Sequence, residues 1–436
     1  MNDDRYRKVP SGRLSRLSSF GQLAGGIAGG MFAEGARKLA KGERPRLSDL
    51  LLTPANATRV TDQLSKLRGA AMKLGQMISM DAGDVLPPEL TAILARLRNS
   101  AHYMPTAQLN KVLIAEWGAD WRRKFLHFET TPIAAASIGQ VHRATLRDGT
   151  VLAIKVQYPG IADSIEADVD NVASLLRISN LLPTKLDISP LLAEAKKQLR
   201  EEADYVREAT QMQLYKKLLA EDPNFLVPSA FTPLSTQRVL AMDFIPGQSI
   251  EILETKPQKT RDAVMFALMG LVLRELFEFG YMQTDPNFAN YRWQEEGGKI
   301  VLLDFGAARP VPDETVDAYR RLMRAGLEGN SEVLRDTLID AGFVSPIALQ
   351  HHKPALDDMI KTLMTHLGKP GLFDFADRSF VEKLRKQVET IASDRNSWHI
   401  PPADTLFVQR KVSGTALLAI RMKSKLPLRD MVEKMI

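Results

Sequence analysis

Two short runs constrain this chain more than anything else in it: Gln283-Thr284-Asp285-Pro286-Asn287-Phe288-Ala289-Asn290 and, about a dozen residues on, Leu303-Asp304-Phe305-Gly306. The first spaces an aspartate and an asparagine as Asp-x-x-x-x-Asn, and the second sets another aspartate before Phe-Gly. Phosphoryl transfer asks for such a set: oxygen ligands around the metal that screens the phosphates, and a carboxylate aimed at the attacking group. Asn290 and Asp304 can supply the ligands and Asp285 the carboxylate.

The spacing matches the catalytic loop and metal-binding Asp-Phe-Gly of protein kinases, with departures. Gln283-Thr284 stands where His-Arg would precede the aspartate, so the usual anchor for a phosphorylated activation loop is missing. Nothing resembling Ala-Pro-Glu follows. After Gly306 the chain runs through Ala307-Ala308-Arg309-Pro310 toward a helix expected near Pro312-Asp313. That leaves little chain for a peptide platform and disfavours transfer to protein side chains in trans.

A length of 436 residues allows two or three packed units, and the absence of cysteine excludes disulfides, zinc-thiolate sites and thiol nucleophiles. The cell interior is the plain reading of that composition. Residues 1–46 carry ten Lys/Arg against four acids, which accounts for the whole net charge of +6. A basic terminus on a balanced body argues for an anionic surface, not for nucleic acid. Inside it, Phe20 to Phe32 is too short to span a bilayer and too glycine-rich for a confident water-soluble helix. It reads either as a loose or signal-like tail, or as a short helix that lies on a membrane or pairs with a partner. Gly21, Gly25 and Gly29 have the small-x-x-x-small spacing that lets two helices approach, which keeps a homodimer open.

Along the chain, residues 47–128 read as helical: Leu64, Leu67, Ala71, Leu74 and Ile78 recur at steps of three and four. From 129 the period changes. Ile138 to Ala144 and Val151 to Val156 read as strands joined by a turn at Arg147-Asp148-Gly149-Thr150. Helical patterns cover 161–220, two strand candidates lie between Val227 and Phe244, and helix returns at 258–281 and through most of 313–436. A small β-rich lobe before a larger helical lobe, with a site between them, is the plan expected: an α+β, protein-kinase-like bilobal fold. The expected divisions are 1–46, 47–128, 129–253 and 254–436.

Within that plan Lys155, late in the strand Leu152-Ala153-Ile154-Lys155, is placed to meet nucleotide phosphates. It needs a carboxylate partner, and Glu208 is the best candidate in Glu201-Glu202-Ala203-Asp204-Tyr205-Val206-Arg207-Glu208, read as one helix. On such a helix Glu202, six residues earlier and about 240° away, must face something else. Kinases cover the phosphates with Gly-x-Gly-x-x-Gly-x-Val; the same spacing here is Ala134-x-Ala136-x-x-Gly139-x-Val141. Two alanines restrict φ and crowd the phosphates with methyl groups, which points to a changed nucleotide preference or a slower reaction. Ala135, Ser137, Met242 and Phe244 complete the expected nucleotide-binding set.

With these residues assembled, the chain resembles the UbiB family of atypical kinase-like proteins, especially its coenzyme-Q branch. Lys73-Leu74-Gly75-Gln76 reproduces a Lys-x-Gly-Gln signature, Glu202-Ala203-Asp204 a Glu-x-Asp motif, Ala134 to Gln140 the alanine-rich loop and Gln283 to Asn290 the altered catalytic loop. The resemblance implies an added N-terminal helical segment that packs over the active site and blocks peptide access. Lys73 and Gln76 would enter that site, Lys73 near Glu202, with Asp204 in the same regulatory motif. It further implies nucleotide binding and slow ATP hydrolysis, promoted by membrane lipid, in support of ubiquinone synthesis or lipid handling.

The expectation is therefore an enzyme that uses ATP or ADP with Mg²⁺ at a membrane surface, peripheral on the inner membrane through residues 1–46, with quinone-biosynthesis proteins as candidate partners. Two alternatives stand beside it: a nucleotide-gated scaffold with incidental turnover, and a conventional protein or small-molecule kinase.

Overall fold

The computed structural model describes residues 103–178, 189–394, 397, 399 and 401–436. The basic glycine-rich segment, the Lys-x-Gly-Gln signature and residues Lys73 and Gln76 lie outside the described residues. The chain divides into two units, one of Met1–Thr210 with Ser229–Phe244 and one of Gln211–Pro228 with Ile245–Ile436.

In the first unit, α1 (Thr106–Trp117) leads through a 3-10 turn, Trp121–Lys124, into β1 (Phe125–Phe128). Helix was expected through residue 128, and aromatic packing ends it early. Trp117, Trp121, Phe125 and Phe128 stack edge to face or tilted, with centroids 4.9 to 6.2 Å apart. Each such pair adds about 0.5–1.5 kcal/mol beyond its burial. Strand β1 pairs with β3 with a register irregularity between Phe125 and His127, so the sheet begins before residue 129.

Strands β2 (Ala134–Ala135), β3 (Gly139–Leu146) and β4 (Val151–Gln157) follow in antiparallel order. Gly149, at φ 89°, supplies the left-handed turn residue between β3 and β4, and Asp148 Oδ1 accepts the Thr150 N–H. Helices α2 (Ile161–Ile178) and α3 (Ser189–Glu202) are joined across their faces by Lys196, which reaches Glu166 at 3.2 Å and Asp170 at 2.6 Å. Partly exposed pairs of this kind set register more than stability. After α4 (Tyr205–Leu218) and β5 (Phe225–Leu226), β6 (Val239–Asp243) completes the sheet in the order β1-β3-β4-β6, with β2 beside β3. Of the two strands expected between Val227 and Phe244 only β6 forms. Pro228 and Pro233 carry no amide donor, and that stretch makes a single bridge, Ala230 to Met242, and a 3-10 turn at Thr232–Leu234.

The second unit is built on α5 (Gln258–Phe277), which follows β7 (Gln248–Ser249). Val264, Met265, Leu268, Met269, Leu271, Val272, Leu273 and Leu276 are all buried, so the helix is surrounded by protein on several sides. Strands β8 (Tyr281–Gln283), β9 (Tyr291–Trp293), β10 (Ile300–Leu302) and β11 (Ala308–Pro310) then form two small sheets, β5-β10-β9-β7 and β11-β8. Leu302 lies opposite Tyr291 and Ala308 opposite Gln283, so pairing brings the two informative runs side by side at both ends.

Helix α6 (Asp313–Glu328) begins at once, with Asp313 and Glu314 in its first turn where the helix dipole favours acids. It is followed by α7 (Ser331–Asp340), α8 (Pro346–Leu367), β12 (Phe373–Asp374), α9 (Val381–Ser393), α10 (Ala403–Arg421), β13 (Lys425–Leu426) and α11 (Leu428–Glu433). Val272, Leu276, Met282, Val311, Val316, Tyr319 and Val408 form one buried cluster from four of these elements and the turns beside them.

Candidate active site

In the first unit Lys155 projects from β4, with Val141 and Leu240 as its cross-strand neighbours. Its Nζ donates to both carboxylate oxygens of Glu208 on α4, at 2.8 and 3.0 Å. The two side chains are 7% and 0% exposed, and the Tyr205 ring lies 5.2 Å from Nζ. A charge pair this deep is held by geometry: removing one partner leaves the other desolvated, at about 3–5 kcal/mol.

The acidic run that carries Glu208 is not one helix. Helix α3 ends at Glu202 and α4 starts at Tyr205, with Ala203 and Asp204 between them. Asp204 Oδ1 accepts the Arg207 N–H three residues on, the N-cap geometry that opens α4. Gln157 at the end of β4 donates to the Ala203 carbonyl at 2.6 Å and fixes the break. Glu202 and Glu208 therefore face different neighbours because they sit on two helices, not on two sides of one.

Glu202 Oε2 accepts from the Ser137 hydroxyl at 3.0 Å. Ser137 is at the tip of the alanine loop, which folds as a tight hairpin: Ala134 pairs with Val141, Ala135 with Gln140, and Ala136 donates its N–H to the Gly139 carbonyl at 2.9 Å. Ile133 likewise donates to the Val141 carbonyl at 2.8 Å. The backbone donors of Ile133 and Ala136 are thus committed within the hairpin. Gly139 is needed for packing, since a Cβ there would sit 2.3 Å from the Val156 carbonyl oxygen. Met242 is buried opposite Ala153, and Phe244 donates its N–H to the Val151 carbonyl at 3.1 Å, with the Arg143 guanidinium 5.0 Å from its ring.

In the second unit one side chain joins the two runs. The Gln283 amide oxygen accepts the Asp285 N–H at 3.0 Å, and its Nε2 donates to the Asp304 carbonyl at 3.2 Å. The Thr284 hydroxyl donates to the Ala307 carbonyl at 2.9 Å, the Leu303 N–H to the Asn290 carbonyl at 3.0 Å. Asn290 spends an amide hydrogen on the Asp285 carbonyl at 3.4 Å, which makes its oxygen the donor atom toward a cation. Asp304 Oδ1 accepts the Gly306 N–H at 3.0 Å, and Phe305 is buried with its ring 5.0 Å from that of Tyr215. An amide oxygen and a carboxylate, both hard and half-buried, suit Mg²⁺.

Beneath this loop lies a buried network that the sequence reading missed. Tyr215 donates to Glu275 Oε1 at 2.7 Å, the Gln283 N–H reaches the same oxygen at 3.2 Å, and Lys411 Nζ lies 3.3 Å from Glu275 Oε2 and 3.1 Å from the Tyr291 hydroxyl. Burial alone would lower the Lys411 pKa, but the Glu275 carboxylate and Tyr291 outweigh it and raise it. Burial, with Glu275 beside it, pushes the Tyr215 hydroxyl well up. The signal was present as charges set beside apolar runs of two helices. A carboxylate in Leu271-Val272-Leu273-Arg274-Glu275-Leu276 and a lysine in α10 call for partners when buried.

The residues named from sequence fall into two sets. Lys155, Glu208, Glu202, Asp204, the alanine loop, Met242 and Phe244 belong to the first unit; Asp285, Asn290 and Asp304 belong to the second. Among the described residues no helix is long and apolar enough to cross a membrane.

A family model described as the ABC1 atypical kinase-like domain matches residues 96–338. The chain is 38% identical over 420 residues to the mitochondrial atypical kinase COQ8 of Saccharomyces cerevisiae, covering 95% of this chain and 83% of that protein. It is also 38% identical over 431 residues to the mitochondrial atypical kinase COQ8B of Rattus norvegicus, covering 98% and 81%. Among solved structures, the Rv3197–erythromycin complex from Mycobacterium tuberculosis aligns with a TM-score of 0.60 at 25% identity, covering 88% of this chain and 96% of that one.

Proposed function

The chain belongs to the ABC1 atypical kinase-like family, and on that premise we propose that it binds a Mg²⁺–nucleotide and hydrolyses ATP slowly at an anionic membrane surface in support of ubiquinone synthesis. The observation that carries the proposal is the Gln283 side chain, which ties the Asp285 backbone to that of Asp304. That tie supports a catalytic reading of the loop in the absence of the His-Arg of ordinary kinases.

In this reading Asn290 and Asp304 hold Mg²⁺, whose charge screens the phosphates. Asp285 orients the attacking water and accepts its proton. Lys155, held by Glu208, sets the position of the phosphates. The alanine loop covers them without the Ala136 N–H, which is spent within the hairpin, and this slows turnover. The basic residues within 1–46 bring the protein to anionic lipid, and Lys73 and Gln76 regulate the site.

The committed N–H of Ala136 also favours a second reading, in which nucleotide state gates the assembly of quinone-biosynthesis proteins and turnover is incidental. Phosphate release by purified protein, with and without anionic liposomes, separates these. Asp304→Asn is expected to lose Mg²⁺-dependent binding and release together, and Asp285→Asn to keep binding while release falls by about 10²-fold or more. Wild-type binding and hydrolysis by Asp304→Asn would sink the assignment. Cellular rescue by Asp285→Asn would favour the scaffold.

A further inference from the structure

We propose that His351, His352 and Asp394, in the second unit, form a binding site for a borderline divalent cation of the zinc class. Consecutive residues on a helix diverge by about 100°, so adjacent histidines ordinarily point apart. Helix α8 is broken where they stand: His352 is at φ −127° and ψ 24°, two residues before Pro354. The break turns both rings onto one oxygen, His351 Nδ1 at 2.9 Å and His352 Nε2 at 3.1 Å from Asp394 Oδ2.

The Ser397 hydroxyl donates to that same oxygen at 2.7 Å. A carboxylate oxygen has two in-plane lone pairs, and three polar atoms converge on this one. A cation between the rings and the carboxylate resolves the crowding, because each imidazole then gives a lone pair instead of a hydrogen. The three ligand atoms lie within 4.8 Å of one another. Tetrahedral ligands at about 2.0–2.1 Å from zinc are roughly 3.3 Å apart, only a few tenths of an ångström beyond the two nitrogen-to-carboxylate separations. Ser397 keeps its hydrogen bond to the ligating carboxylate, the outer support such ligands use. Two imidazoles and one carboxylate suit zinc and its neighbours better than Mg²⁺, so the site is chemically distinct from the nucleotide's metal. His351 is 46% exposed on its side chain, which gives the ion an entry path and room for water as a fourth ligand. The bound ion clips the α8 kink to the segment after α9.

Equilibrium titration of tag-free protein with Zn²⁺ tests this, with Co²⁺ as the spectroscopic probe. The chain has no cysteine, so no thiolate competes. With excess Mg²⁺ present to fill the Asn290–Asp304 site, one saturable site per chain is expected, with visible Co²⁺ bands and a thermal midpoint raised by Zn²⁺. His351→Gln and His352→Gln should each weaken binding by about tenfold or more, and Ser397→Ala by about 10–100-fold. His366→Gln should bind as wild type does. Absence of saturable binding overturns the proposal, as does undiminished binding in the His351→Gln, His352→Gln double variant. Because His351 is exposed, its single variant remains informative if the double variant does not fold.

Discussion

At the scale of single residues, Gln283 stands where a basic pair would begin and offers one neutral amide whose two ends serve two loops, at Asp285 and at Asp304. Its own N–H is in turn held by Glu275, so the loop rests on a buried charge. Replacing Lys411 with Met is expected to destabilise the protein by about 3–5 kcal/mol, because Glu275 is left desolvated without its cation. Urea unfolding measures this, and Lys411→Met combined with Glu275→Gln, which removes the charge but keeps an acceptor oxygen for Tyr215 and the Gln283 N–H, should regain most of the loss. In the first unit, burial holds the His142 imidazole down to about 4 from 6.5, against the opposing pull of its hydrogen bond to the Glu129 carbonyl. Nδ1 faces that carbonyl and Nε2 faces Gln140, so the ring is neutral and fully engaged. Between those two values the unfolded chain holds the extra proton, so stability must fall as pH drops through the window. A loss of roughly 2–3 kcal/mol between pH 7.5 and 4.5 is expected from this group. The slope should flatten in His142→Gln; an equal slope in the variant would show another group at work.

At the scale of elements, the β3–β4 hairpin was legible because Asp148-Gly149 names its turn and Val151 to Val156 names a strand. The break between α3 and α4 was not, since Ala203-Asp204 contains neither glycine nor proline. An aspartate is nevertheless a strong N-cap, and the chain uses it as one. Asp204→Ala should cost about 1 kcal/mol and leave the Lys155–Glu208 pair less well placed. Chemical denaturation checks the first, and nucleotide affinity the second. The end of helix before β1 was hidden for another reason. Phe125 and Phe128 sit at helical spacing, and only contact with Trp117 and Trp121 selects the strand.

At the scale of the whole molecule, the parts of the site that read directly from sequence are those built from local spacing: Asp285 to Asn290, Asp304 to Gly306, and Lys155 within its strand. What supports them comes from far along the chain and leaves no spacing to read. Tyr215, Glu275, Tyr291 and Lys411 meet only when the end of α4, α5, β9 and α10 pack. Gly414 is a sharper case. A Cβ built there would lie 2.2 Å from Pro286 Cβ and 2.6 Å from its Cγ, so α10 presses its bare backbone against the residue that follows Asp285. Gly414→Ala should cost about 1–3 kcal/mol as overpacking and lower phosphate release more than nucleotide affinity. Equal losses in both would mean a general folding defect.

Numbering is therefore a poor guide to lesions in this protein. An inherited or laboratory change in the last tenth of the chain, remote from every recognisable motif, would present as a catalytic defect because α10 forms the floor under Pro286.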